Sequence, residues 1–222
     1  MLRVAYNRKA HCRLRARIGD PVPLLPLFPL DLVLFPGTPL PLHIFEPRYK
    51  EMIGECLANK APFGVVRALE QGIAEIGCTA EIVAVTKKYP DGRLDLVAEG
   101  RHRFEVLTLN QERSFLRAEI IPIPDEPSAP AEEDAARAVE LHRQIFSLAG
   151  AAQDLPDSSH VPLSFHLAGS LPLDLDFKQK LLAIRSEHER IQTLAAYLES
   201  ILPGLRRAAR AREKAGGNGH VH

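Results

Sequence analysis

The sequence predicts an α+β fold: a small, partly closed barrel of mostly antiparallel strands with one early helix, followed by a helical bundle. Three observations predict it. The first half shows short period-two apolar runs broken by turn formers. A proline- and acid-rich stretch follows. The last third carries apolar residues at helical spacing.

Two apolar runs, 24–27 and 32–35, lead to the turn formers Pro36 and Gly37. Leu40, Leu42 and Ile44 then alternate with Pro41 and His43, as in a half-buried strand. Pro47 suits a first helical position, where its missing N–H would be unpaired anyway. Tyr49, Met52, Ile53, Cys56 and Leu57 follow along one helix face. Strands are expected over 63–69, 79–88, 94–98, 104–109 and 115–123, with Gly100 as a break between two of them. Tyr89-Pro90-Asp91-Gly92 reads as a hairpin turn, because proline presets φ and glycine accepts positive φ.

Pro122, Pro124, Pro127 and Pro130, interleaved with Asp125, Glu126, Glu132, Glu133 and Asp134, strip backbone donors and prefer water, which marks a linker. The first helix beyond it is expected to bury Ala135, Val139, His142, Phe146 and Ala149. Pro162 opens a second helix, and Asp174 or Asp176 caps a third. Ser186 and Glu189 have capping-box spacing before a last helix with the stripe Ile191, Leu194, Leu198, Ile201 and Leu202. The organisation expected is a basic tail over 1–21, a barrel over 22–124, a linker over 125–134, a helical subdomain over 135–204, and a basic, glycine-rich tail over 205–222.

The 222 residues suffice to bury roughly 70% of the unfolded surface. Hydrophobic residues make up 45% and charged residues 25%, both ordinary for globular proteins. Twenty-eight basic and 28 acidic side chains cancel, so bulk charge gives no reason to expect nucleic acid or an anionic membrane as partner. No apolar run nears the ~20 residues of a spanning helix, and a cytoplasmic location is expected. Cys12, Cys56 and Cys78 lack Cys-x-x-Cys spacing and read as structural thiols. Nine histidines are scattered without metal-ligand spacing, so neither metal nor cofactor is expected.

Several runs carry a resemblance: LFPL at 27–30, LFPG at 34–37, LPLHIFEPRY at 40–49, FGVV at 63–66, GCTAEI at 77–82, DGR at 91–93, EGRHRF at 99–104 and LAGSLPLDLDFKQKLLAI at 167–184. In that order they resemble the Lon protease N-terminal, substrate-binding domain, over about residues 22–202. The resemblance implies a PUA-like pseudobarrel, and a domain that helps recognise unfolded or tagged protein substrates. The complete Lon enzyme adds ATPase and serine–lysine protease modules. This sequence has no G-x-x-x-x-G-K-[ST], no G-x-S-x-G and no H-E-x-x-H, so a non-enzymatic binding role, with any ATP-dependent protease acting in trans, is expected.

The physical candidate for peptide contact is the proline-bent segment with Phe35, Pro36, Pro39, Leu40 and Pro41, since prolines belong on sheet edges and exposed apolar residues offer a patch. The alternative is that Phe35 and Leu40 complete the barrel core. Glu46, Arg48, Arg101 and Arg103 are expected to form an ion pair locking the first helix onto the barrel. A second function class, RNA binding, is suggested by the uses of PUA-like folds and by the basic tails; the near-neutral charge and absence of Trp for base stacking weigh against it.

Overall fold

A computed structural model describes residues 24–148 and 161–216. Expectations for the amino-terminal tail, Cys12, Ala149 and the last six residues lie outside that range.

The strands are β1 (Leu25–Leu30), β2 (Pro39–Ile44), β3 (Phe63–Leu69), β4 (Gly72–Ile73), β5 (Ile76–Lys88), β6 (Leu94–Asn110) and β7 (Arg117–Pro122), with helix α1 (Pro47–Asn59) after β2. Sheet order β1-β7-β6-β5-β3 closes on itself because β1 also pairs, in parallel, with β3. The other pairings are antiparallel, and β2 adds to β6 outside the ring. Helix α1 buries Tyr49, Met52, Ile53 and Cys56 against Phe28, Phe63 and Leu96. Burial pushes the Cys56 thiol up to about 11 and the Cys78 thiol to about 12, so neither is a thiolate near neutral pH.

The expected break at Gly100 is corrected by a continuous 17-residue β6. Gly100 has a different task. Its N–H donates to the Thr38 carbonyl and its own carbonyl accepts from Gly37, so residues 35–38 lie flat across the strand. A Cβ at position 100 would sit 2.2 Å from the Phe35 carbonyl oxygen, which only glycine avoids. The hairpin turn forms as expected, with Gly92 at φ 81° and its N–H donating to the Tyr89 carbonyl.

The second half contains α2 (Glu132–Leu148), α3 (Leu163–Gly169), α4 (Leu175–Ala183) and α5 (Glu187–Gly216). The buried stripe of α2 is Ala138, Leu141, His142 and Ile145, which corrects the expected set: Ala135, Val139 and Phe146 sit at its partly buried flanks. Asp174 caps α4 by accepting from the Phe177 N–H, and Ser186 Oγ accepts from the Glu189 N–H at the start of α5. Helix α5 runs on through Pro203 and past residue 204, the bound expected for the helical subdomain. Pro203 has no N–H for the Glu199 carbonyl, which loosens the helix there without ending it. Among the described residues, no helix is long and apolar enough to cross a membrane.

One apolar cluster joins the halves: Val33 and Phe35, from the loop over Gly100, pack with Phe165, Leu181, Leu182, Ile191 and Leu194 of the helices. Phe35 stacks on Phe165 with centroids 5.2 Å apart. The stretch 125–134 leads from β7 into the first turn of α2, and its beginning is tied down. The Glu126 N–H donates to the Arg185 carbonyl, and Ser128 and Ser186 hydroxyls lie 2.9 Å apart.

Candidate functional site

Alternation along β2, β5 and β6 builds a two-sided sheet. Leu40 and Ile44, Leu96 and Ala98, and Ala80 face the barrel core. Their neighbours must therefore face out. Register places Pro41, Val97 and Ala84 in one row across β2, β6 and β5. The row on one side is Pro39, Glu99 and Glu81, and that on the other is His43, Asp95 and Lys87. A β-bulge between Ile82 and Ala84 leaves Val83 as the extra residue, turned to solvent at 57% exposure. Phe45, 58% exposed, follows Ile44, and its ring lies 5.9 Å from that of His43. The centre of this face is apolar and exposed.

Charged groups rim it. Arg101 Nε donates to Glu81 at 2.8 Å, and its Nη1 donates to Glu99. At the opposite end, His43 Nδ1 lies 2.5 Å from Asp95, and the Tyr89 hydroxyl donates to the other Asp95 oxygen at 2.8 Å. Those two hydrogen bonds hold the Asp95 carboxyl below the usual carboxylate range. Lys87 and Arg93 flank the Tyr89 ring at 4.5 and 4.8 Å from its centre.

The edge of β2 is as informative as its face. Among the described strands β2 pairs only with β6. Pro39 and Pro41 have no N–H, so Leu40, Leu42 and Ile44 supply the donors to β6, and residues 39, 41 and 43 turn their backbone groups away. The free edge therefore offers three carbonyls and a single N–H, at His43. A strand adding there would leave most of its acceptors unanswered.

The residues expected from the sequence divide accordingly. Pro39 and Pro41 are exposed on this face, and Pro36 is partly exposed in the turn. Phe35 is fully buried and Leu40 nearly so, but only Leu40 joins the barrel core, whereas Phe35 packs in the cluster shared with the helices. Phe35 is drawn inward by Phe165, a partner 130 positions away that no local pattern reveals. Phe45, Val83 and Val97 were not anticipated. The apolar doublet Ile82-Val83 inside an alternating strand was the available sign of a bulge.

The expected four-residue ion pair does not form. Glu46 pairs with Arg48 locally and in solvent. Arg101 turns out to Glu81 and Glu99, whereas Arg103, two residues on, turns in and is 3% exposed. Arg103 Nη1 donates to the Leu182 and Ile184 carbonyls, and its Nη2 donates to Asp125. Arg190, fully buried, donates to both Asp125 oxygens from the other side. Its Nε also reaches Ser164 Oγ and Glu187, and Glu187 accepts the Ser164 N–H at the start of α3. Both guanidinium groups lie over the Phe165 ring, at 4.3 Å for Arg190 and 5.5 Å for Arg103. Burial lowers the Arg103 pKa, countered in part by the Asp125 charge. Helix α1 takes no part in this lock, which joins the barrel to α3 and α5.

Comparison with known proteins places this architecture. The family model described as the ATP-dependent protease La (LON) substrate-binding domain matches residues 24–200. The Lon protease of Anaeromyxobacter dehalogenans is 31% identical over 177 residues, 72% of this chain and 21% of that protein. The Lon protease of Parabacteroides distasonis is 33% identical over 117 residues, 49% of this chain and 14% of that protein. The chain thus spans about a fifth or less of these relatives' length. The crystal structure of a Lon N-terminal domain protein from Xanthomonas campestris superposes with a TM-score of 0.64 at 28% identity, covering 79% of this chain and 99% of that one. The N-terminal domain of the Mycobacterium avium complex Lon protease shares the fold, with a TM-score of 0.58 at 17% identity over 80% of this chain and 98% of that one. The chain belongs to the Lon substrate-binding domain family.

Proposed function

We propose that this protein is a non-catalytic, cytoplasmic binder of unfolded or extended polypeptide, and that the outer face of β2, β6 and β5 is where the polypeptide lies. As an adaptor or chaperone-like module, it presents its ligand to an ATP-dependent protease acting in trans. The observation that carries this reading is the run of exposed apolar residues Pro39, Pro41, Phe45 and Val83 on one face, beside the partly buried Val97 and interspersed with paired charges. Such a run gives affinity without sequence preference, and backbone groups of a passing chain find hydrogen-bond partners at the rim. The proline-blunted edge favours capture on the face over addition of a strand. Glu81, Asp95 and Glu99 offset Arg101, Lys87 and Arg93 on the same face and leave no excess of positive charge for a phosphate backbone, so polypeptide is preferred to RNA.

The test is anisotropy titration of a labelled, permanently unfolded casein against wild type, Phe45→Ser and Val83→Ser. Each lost contact removes about 1–2 kcal/mol, roughly five- to thirtyfold in affinity, with melting little changed because both side chains are more than half exposed. Unchanged affinity in both variants, with loss instead in Leu107→Ser or Ile121→Ser on the β6–β7 surface, would move the site there.

A further inference from the structure

The outer side of β6 and β7 carries a second exposed apolar surface. Val106 and Ile120 pack on the buried cluster of Leu27, Val66, Phe104 and Ala118. Their neighbours Glu105, Glu119 and Ile121 must therefore face the other way. Register sets Glu105 opposite Ile121 and Thr108 opposite Glu119, and the bulge between Val106 and Thr108 leaves Leu107 as the extra residue. Leu107 is 53% and Ile121 47% exposed. Two apolar side chains thus stand beside two carboxylates.

Those carboxylates are unclaimed. Neither the Glu105 nor the Glu119 side chain has an ion-pair or hydrogen-bond partner among the described residues. Arg117, on the same side of β7 as Glu119, is taken by Asn110 at 3.0 Å and Glu112 at 3.5 Å. A ligand that suits this face must therefore be both basic and apolar. Residues 1–20 of the chain have that composition: six arginines and lysines against one acid, Asp20, with Leu14 and Ile18 interleaved among Arg13, Arg15 and Arg17. Chain order delivers the segment to this place. Leu25 pairs with Ala118, so the chain enters β1 at the level of Glu119. Residues 21–23 span at most about 10 Å, whereas neighbouring strands such as β6 and β7 lie only about 5 Å apart. Pro21 and Pro23 cannot donate to the β7 backbone, which favours contact through side chains over an added strand.

We propose that residues 1–20 dock intramolecularly on this face, with guanidinium groups on Glu105 and Glu119 and apolar side chains over Leu107 and Ile121. A second copy of the face fits badly, because a two-fold contact sets carboxylate against carboxylate. The same acids repel an anionic membrane or a nucleic acid. The docked segment shields the second exposed apolar surface of the barrel, whatever the β2–β6–β5 face binds.

The test uses the full chain. Cys56 and Cys78 are buried, so nitroxide labels attached under native conditions go to Cys12 and to a cysteine introduced by Thr108→Cys at an exposed position of the face. We expect pulsed electron paramagnetic resonance to give one short, narrow distance between the two labels. Glu105→Lys with Glu119→Lys should replace it by a broad, longer distribution at little cost in melting, because neither carboxylate has a partner in the barrel to lose. Trypsin cleavage at Arg13, Arg15 and Arg17 should become at least about tenfold faster in that variant. Adding Arg13→Glu, Arg15→Glu and Arg17→Glu to the lysine pair should restore the narrow distance, which a merely disturbed face could not do. A broad distribution with the native charges in place refutes the proposal, and so does a narrow one that survives both charge reversal and high salt. Loss of the narrow distance on mixing with excess unlabelled chain makes a second copy the occupant and overturns it equally.

Discussion

Arg101 and Arg103 stand two residues apart on one strand and face opposite environments. Arg101 pairs with Glu81 and Glu99 on the open face of β6. Arg103 lies behind the strand, where it shares Asp125 with Arg190 over the ring of Phe165. An exposed pair contributes little, because water and salt screen it and two long side chains must be ordered. A buried guanidinium is different: removing its carboxylate partner leaves its charge unpaired and without solvent. The joint therefore holds the two halves together, and the outer face is left free to bind.

The largest effect should come from breaking the joint. Arg190→Ala leaves Asp125 and Glu187 without their main donor and should cost about 3–5 kcal/mol, lowering the melting temperature by roughly 6–20 °C. A change under about 1 kcal/mol would mean the two regions do not differ as described. Phe35→Ala removes a fully buried ring from the same junction and should cost about 3–5 kcal/mol in chemical denaturation.

A smaller effect concerns pH. Burial, with a lesser contribution from the His166 charge, pushes His142 down to about 4. The unfolded state then binds a proton that the folded state refuses. Stability from this group is fully present above the ordinary histidine pKa of about 6.5 and falls as pH drops toward 4, by about 3 kcal/mol. His142→Gln, which can still reach Ser170, should remove that slope between pH 6.5 and 4 in denaturation curves. Retention of the slope would place its origin in other groups. Smallest of all, Arg101→Ala should change stability by less than about 1 kcal/mol, and less still in high salt.

Local chemistry was legible in the sequence, and long-range partnership was not. The Pro36-Gly37 and Asp91-Gly92 turns, the start of α1 at Pro47 and the Asp174 cap rest on near neighbours, and each appears where its residues predict it. Gly100 read as a break because the reason for a glycine there, the Phe35 carbonyl, lies 65 positions earlier. Arg103 read as a partner for α1 because its true acceptors, Asp125 and two carbonyls near α4, come from elements whose approach no pattern encodes. The prolines at 39 and 41 rightly marked an edge, but the direction of Leu40 depended on its pairing with Ala98 in a distant strand. The stretch 125–134 was chosen as a boundary by composition, and its composition says nothing of the bonds that Asp125, Glu126 and Ser128 make. Limited proteolysis bears on that division: we expect cleavage, if any, beyond Ser128, with 125–128 protected until the joint melts.

The most direct test sets the two regions side by side in one experiment: binding of unfolded casein and thermal melting, measured on Phe35→Ala and Val83→Ser. We expect Val83→Ser to lose roughly five- to thirtyfold in affinity at a little-changed melting temperature, and Phe35→Ala to melt early while its native fraction binds as wild type does. The reverse pattern, with Val83→Ser binding normally and folded Phe35→Ala failing to bind, would contradict the assignment of the outer face as the polypeptide site and of the Phe35 segment as core.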